Sequence, residues 1–149
     1  MKSFIGLLSS IALQFILTNS LFANMCVQAD RANLRSAPST TSSKTWEVYR
    51  FMPLQKVKEK NSWIQVRDVD GDTHWIQKKF VTNKIDCAVV REKEAKLRKG
   101  PSTKFGLVAG ASAKKYYSYK ILKRENQWLH VQDAKGGKAW VHRDSVWIQ

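Results

Sequence analysis

The segment from Asn33 to Val81 is written twice, and that duplication limits what this chain can fold into more than any other feature. Asn33-Leu34-Arg35-Ser36-Ala37-Pro38-Ser39-Thr40 returns as Lys96-Leu97-Arg98-Lys99-Gly100-Pro101-Ser102-Thr103. Trp63-Ile64-Gln65-Val66-Arg67-Asp68 returns as Trp128-Leu129-His130-Val131-Gln132-Asp133, and His74-Trp75-Ile76 as Ala139-Trp140-Val141. The first match is offset by 63 residues and the other two by 65, so the second copy gained two residues in its middle. A repeat of this length is too long for a solenoid unit and suits a small domain that closes its own core. The copies place one module at 24–86 and the other at 87–149.

Residues 1–23 lie outside the duplication. Lys2 follows Met1, the run from Phe4 to Leu17 is apolar apart from Ser9, Ser10 and Gln14, and Leu21-Phe22-Ala23 ends on a small residue. This order of charge, apolar core and small residue is that of a secretory signal peptide, and the core is short for a transmembrane helix. A lipoprotein cysteine at Cys26 is the competing reading, but Ala23-Asn24-Met25 lacks the small residue usual beside such a site. No second apolar run approaches membrane length. The expectation is an exported chain, periplasmic or secreted, with no stable membrane insertion after cleavage.

Without Lys2, 25 Lys and Arg face 12 Asp and Glu, a net of +13. The modules share it unequally: +4 over 24–86 and +9 over 87–149. Such a field attracts polyanions and says little about fold. For an exported chain the available polyanions are wall polymers, lipopolysaccharide and membrane phosphate. Lys78-Lys79 and Lys114-Lys115 are the runs of interest. The two cysteines, Cys26 and Cys87, each open a copy. An even count in an oxidising compartment favours a Cys26–Cys87 disulfide over two buried thiols. The two Cys and the scattered His74, His130 and His142 show no zinc-ligand spacing.

Within each copy, short runs of β-branched and aromatic residues are separated by turn residues. Trp63–Val69 and Thr73–Gln77 flank Asp70-Gly71; Trp128–Asp133 and Lys138–His142 flank Gly136-Gly137. Both are hairpin signals, because these residues accept the positive φ of a tight turn. About five antiparallel strands per copy make a small, partly open barrel, so the fold class is all-β, two such barrels in tandem. A two-residue turn at Asp70-Gly71 would put Val66 and Trp75 on one side. A three-residue loop with a glycine bulge would instead group Ile64, Val66 and Ile76, with Trp75 facing away. The second is favoured because it gives an aliphatic inner face in both copies.

Taken together, Asn-Leu-Arg-x-x-Pro-Ser, a strand ending near Trp, Trp-x-x-Val-Arg-Asp-x-Asp-Gly and the aromatic-aliphatic return resemble the bacterial SH3-like domain, in its short exported tandem form. The likeness covers Ala32 to Val81 well and Ala95 to Trp147 a little less well. Two departures stand out: His74 and Ala139 replace the usual Gly before the return-strand Trp, and Ala37 replaces a Gly that only Gly100 keeps. The resemblance implies a binding module. Related domains are often attached to cell-wall hydrolases and hold peptidoglycan peptides in a shallow groove. It implies no catalytic residue and no cofactor.

The residues agree that this is not an enzyme. Neither cysteine has a neighbouring His, and Asp68, Asp70 and Asp72 flank a hairpin, where turn chemistry explains them better than acid–base work or calcium. Six Trp and four Tyr carry more signal. Trp63 and Trp128 are assigned to packing. Tyr49, Trp75, Tyr117 and Trp140 are the candidates for a groove that stacks on peptide or sugar, with Lys78, Lys79 and Arg143 at its rim. The function expected is a non-catalytic envelope protein that recognises peptidoglycan or another anionic wall component. The alternative is an adaptor that holds a peptide of an envelope partner. Nucleic acid rests on charge and aromatics alone, and export argues against it.

Overall fold

A computed structural model describes residues 24–148, so the leader reading lies outside the described residues. The first sheet is built from β1 (Asn24–Val27), β2 (Arg31–Arg35), β3 (Lys44–Tyr49), β4 (Pro53–Lys60), β5 (Trp63–Arg67), β6 (Thr73–Gln77) and β7 (Val81–Thr82). The second is built from β8 (Cys87–Val90), β9 (Glu94–Arg98), β10 (Leu107–Lys114), β11 (Ser118–Glu125), β12 (Trp128–Gln132), β13 (Lys138–His142) and β14 (Val146–Ile148). The strand orders are β3-β2-β6-β5-β4-β1-β7 and β10-β9-β13-β12-β11-β8-β14, the same path walked twice. Two strands per sheet beyond the expected five are the short pieces at its ends, such as Val81–Thr82, too brief to show a period in sequence. A single 3-10 turn, Lys78–Phe80 or Arg143–Ser145, precedes the last strand of each copy.

The hairpin ambiguity resolves in favour of the bulged loop. The Asp68 N–H donates to the Asp72 carbonyl at 3.0 Å and the Gly71 N–H to the Asp68 carbonyl at 3.1 Å. Gly71 takes φ +91°, as Gly136 does in the second copy, and there a side chain would be strained. Ile64 therefore faces Ile76, and Gln65 faces Trp75. Ile64, Val66 and Ile76 enter the first core with Leu34, Val48 and Leu54; Leu129, Val131 and Val141 enter the second. Period-2 alternation does the rest: in β2, Ala32 and Leu34 are buried while Arg31 and Asn33 are exposed.

Register also locates the two extra residues. In the first copy Asn33 pairs with Glu47 and Arg35 with Lys44, leaving Thr45 and Trp46 between. In the second, Lys96 pairs with Ser112 and Arg98 with Leu107, leaving residues 108–111. The insertion is a bulge in β10 around Gly110, whose φ is +76°.

The two cores share a wall. Strand β8 reads Cys-Ala-Val-Val and is buried at all four positions. Its Val89 lies in the first core, while Ala88 and Val90 lie in the second. Trp147 of β14 also packs against the first core. A strand covered on both faces reads as a continuous apolar run, which is what these four residues are. Cys26 and Cys87 form a disulfide with their Cα atoms 6.1 Å apart. That bond uses the sulfur a lipid thioether at Cys26 would need. Three side chains add to the seam. Ser118 Oγ donates to the Arg50 carbonyl at 2.8 Å, and Tyr116 OH and Lys115 Nζ both reach the Asp70 carboxylate, at 2.7 and 3.1 Å. Tyr116 meets the edge of Trp46 at 5.1 Å. These contacts hold its carboxylate partner Asp70 below the usual range, the Tyr116 hydrogen bond first and Lys115 after it.

Candidate functional site

Each barrel carries a groove at the same place, over the outer face of its second strand and beside the 3-10 turn. In the first barrel the groove measures about 470 Å³, and Arg31, Arg35, Trp63, Gln77, Lys79 and Phe80 supply most of its surface. In the second it measures about 250 Å³, around Glu94, Lys96, Arg98, Trp128, His142 and Ser145. These are matched positions: Arg31 becomes Glu94, Arg35 stays Arg98, Trp63 stays Trp128, Gln77 becomes His142 and Phe80 becomes Ser145. Lys79 becomes Asp144.

The charges of the two grooves therefore run opposite to the charges of their modules. The first groove gathers Arg31, Arg35 and Lys79, and its one acid, Glu47, is already engaged. Lys44 Nζ sits 2.9 Å from Glu47 Oε2 and Tyr49 OH 3.1 Å from Oε1, and these bonds hold the Glu47 carboxyl below the usual range. The second groove balances Glu92 and Glu94 against Lys96 and Arg98, although its module carries the larger net charge. Much of that charge is spent on exposed lysines elsewhere. Local folding fixes the basic arrangement. Alternation in β2 puts Arg31 and Arg35 on one face. Arg35 Nη1 is tied to the Ser42 carbonyl at 2.7 Å. Lys79 lies over the Phe80 ring at 5.0 Å, and its backbone carbonyl accepts Gln28 Nε2 at 3.0 Å.

The residues singled out from sequence fall in three places rather than one groove. Lys79 alone stands in the basic groove; its neighbour Lys78 pairs with Glu59 at 2.7 Å. Tyr49 and Tyr117 meet in a cleft of about 210 Å³ between the barrels, with Arg50, Tyr116 and Ser118. Tyr49 is 57% exposed there. Trp75 and Trp140 are on the outer face, off the aliphatic cores, but they are not open platforms. Trp75 is 9% exposed, with Lys58 Nζ 5.8 Å from its ring; Trp140 is half-buried and stacked on His130 at 4.8 Å. Arg143 is exposed on the second 3-10 turn. Sequence reasoning passed over Arg31 and Arg35, while Trp63, assigned to packing, is buried at the groove's floor. Alternation of buried and exposed positions in Arg-Ala-Asn-Leu-Arg was the available signal, since it puts both arginines on the solvent side.

A third feature explains a departure noted in the sequence. His74 is buried, and its Nε2 lies 2.9 Å from Asp68 Oδ2 while Thr45 Oγ1 lies 2.8 Å from Nδ1. Asp68 Oδ1 accepts the Asp70 and Asp72 N–H groups at 3.0 and 2.9 Å. The histidine thus braces the hairpin from inside. In the second barrel Ala139 and Asp133 stand at the matched positions, and Asp133 Oδ1 accepts the Lys135 and Gly137 N–H groups at 2.8 and 2.9 Å. Gly100 is kept for a different reason: a Cβ there would sit 2.5 Å from the Phe105 ring. Among the described residues, no cluster of three or more His, Cys, Asp or Glu could hold a metal.

The model of the bacterial SH3 domain family matches residues 28–82 and again 91–147. The chain belongs to that family, a family of binding domains, and carries the domain twice. A comparison with curated proteins found no match. Among solved structures, NlpC1 from Trichomonas vaginalis is 13% identical, with 95% of this chain and 51% of that one covered and a TM-score of 0.39. An NlpC/P60 family protein from Bacillus cereus is 14% identical, with 85% and 56% covered and a TM-score of 0.39. Endolysin LysPBC5 CBD is 14% identical, with 86% and 94% covered and a TM-score of 0.36. The chain spans about half the length of the first two. Similarity at this level transfers neither ligand nor activity.

Proposed function

We propose that this is a non-catalytic, exported binding protein of the cell envelope. In this reading the first barrel recognises an anionic wall polymer, peptidoglycan or another, through the groove of Arg31, Arg35 and Lys79. The observation that carries it is the asymmetry of the two matched grooves. Three cations line the first groove beside the half-buried ring of Phe80, while the acid that lines it, Glu47, is already paired. Guanidinium groups suit carboxylate and phosphate, and the Phe80 ring suits the apolar face of sugar or peptide. Bonded cysteines fit an oxidising compartment. The test is co-sedimentation with purified sacculi at physiological salt. The protein is expected in the pellet, and Arg31→Glu is expected to move most of it to the supernatant. Wild-type protein left in the supernatant rejects the proposal.

The adaptor reading has one observation of its own. The cleft of Tyr49, Tyr116 and Tyr117 presents exposed tyrosine at a junction of two domains, a common place for peptide ligands. If sacculi do not retain the protein but one envelope protein co-purifies and is lost with Tyr49→Ala, this reading replaces the first.

A further inference from the structure

The second barrel contains a pocket of about 430 Å³. It opens where the first barrel has its Thr45–His74–Asp68 chain of hydrogen bonds. Three changes in sequence converge on it. Ala139 stands for His74, which removes an imidazole. The bulge at 108–111 stands for Thr45 and Trp46. Tyr117 and Tyr119 stand for Met52 and Leu54 and bring phenol rings to one wall. One thing is kept, the aspartate.

That aspartate has lost a partner. Asp133 Oδ1 still accepts two backbone N–H groups, as Asp68 Oδ1 does. Asp68 Oδ2 has an imidazole nitrogen at 2.9 Å. Among the described residues, no side chain takes that place on Asp133 Oδ2, and Ala139 lines the space instead. This half-buried carboxylate lines the pocket. Tyr119 is 3% exposed, and burial, then the Tyr117 and Asp133 fields, push its hydroxyl up. Tyr117 is raised by burial and then by Asp133. Lys114 and Lys138 also border the pocket. Lys114 shares Glu94 at 3.3 Å, and among the described residues Lys138 has no carboxylate in ion-pair range.

A ligand that is only an anion would face Asp133, and one that is only a cation would face two lysines. Both costs vanish for a molecule charged at both ends. We propose that the second barrel binds a small zwitterion, an amino acid or short peptide, with its ammonium on Asp133 Oδ2 in place of the missing imidazole. Its carboxylate lies toward Lys138 and Lys114, and its body lies against Tyr117, Tyr119 and Leu97. Ammonium over tyrosine rings adds the attraction of a cation for an aromatic face. This site is separate from the basic groove of the first barrel and does not depend on wall binding.

The probe is glycylglycine, added to the purified, 15N-labelled protein and followed by amide shifts. Saturable shifts are expected at Gly110, Asp133, Gly137 and Ala139, with none at the matched Asp68 and His74. n-Propylammonium and acetate, each carrying one of the charges, are expected to bind at least tenfold more weakly. Ala139→His restores an imidazole at the position from which His74 reaches Asp68 in the first barrel. Asp133→Asn keeps an oxygen for the two N–H groups of the turn. Each is expected to weaken glycylglycine at least tenfold while leaving sacculus retention unchanged. Shifts that do not saturate, single-charge probes that bind as well as the dipeptide, or binding kept in both variants would overturn the proposal.

Discussion

Replacing Val89 by Ala tests whether the barrels are one cooperative unit. Val89 belongs by sequence to the second copy, and its strand hydrogen-bonds within the second sheet, yet its side chain is 0% exposed inside the first core. Removing two buried methyl groups costs about 1.6 kcal/mol in transfer free energy, and the cavity left behind raises this to roughly 2–3 kcal/mol. At about 4 °C per kcal/mol for a chain of this size, the midpoint should fall by roughly 10 °C. Native-state hydrogen exchange reads where the loss is felt. Amides of Ile64, Val66 and Ile76, all in the first core, should lose protection alongside those of β8. The companion Val131→Ala, whose side chain lies in the second core, should act first on β12 and β13. If Val89→Ala loosens only second-barrel amides and leaves Ile64 and Ile76 unchanged, the shared wall is wrong and the barrels are independent.

Other outcomes follow from the same contacts. Breaking the Cys26–Cys87 bond with serine at both positions releases a loop closed over a separation of 61 residues and should cost about 4 kcal/mol by loop entropy, read as a lower urea midpoint. His74→Ala removes both buried hydrogen bonds and exposes Asp68 to an unfilled space; a loss of about 2–3 kcal/mol in chemical denaturation is expected. Burial holds the Tyr119 hydroxyl above its ordinary value in the folded state, so the unfolded chain loses its phenol proton first, near 10.0. Stability should hold below about pH 9 and then decline by up to about 1.4 kcal/mol per pH unit. Tyr119→Phe should flatten that slope. Asp70→Asn, at a half-exposed bridge to Lys115 and Tyr116, should cost about 1 kcal/mol or less, and added salt should shrink the difference.

Much of the fold could be read from the chain because duplication repeats the signal. Glycine at matched places marked two hairpins, and the aliphatic face of Ile64, Val66 and Ile76 chose between the two loop types and their registers. The shared wall was harder to see. Cys-Ala-Val-Val is apolar at every position, which says that both faces are covered without saying by what. The site was less legible for a related reason. Exposure cannot be read from residue type: Trp75 looked like a platform, yet it packs beneath Lys58. The second module carries the larger net charge, but a groove feels only the charges that alternation and turn geometry aim at it, and Arg31 against Glu94 reverses the sum. The change of offset from 63 to 65 was visible from the start. Only strand register showed that the extra residues line a pocket.

In the proposed reading one of the two matched grooves, that of the less charged module, does the binding. The most direct measurement exchanges their charges. Arg31→Glu with Lys79→Asp puts the second copy's residues at these two positions of the first, and Glu94→Arg with Asp144→Lys does the reverse. Retention on sacculi across a salt series should collapse for the first pair and hold or rise for the second. Lys84→Glu with Lys135→Glu lowers the net charge by the same amount at exposed positions outside the groove and should keep retention; a collapse there as deep as that of the first pair, with retention following net charge alone, would overturn the assignment.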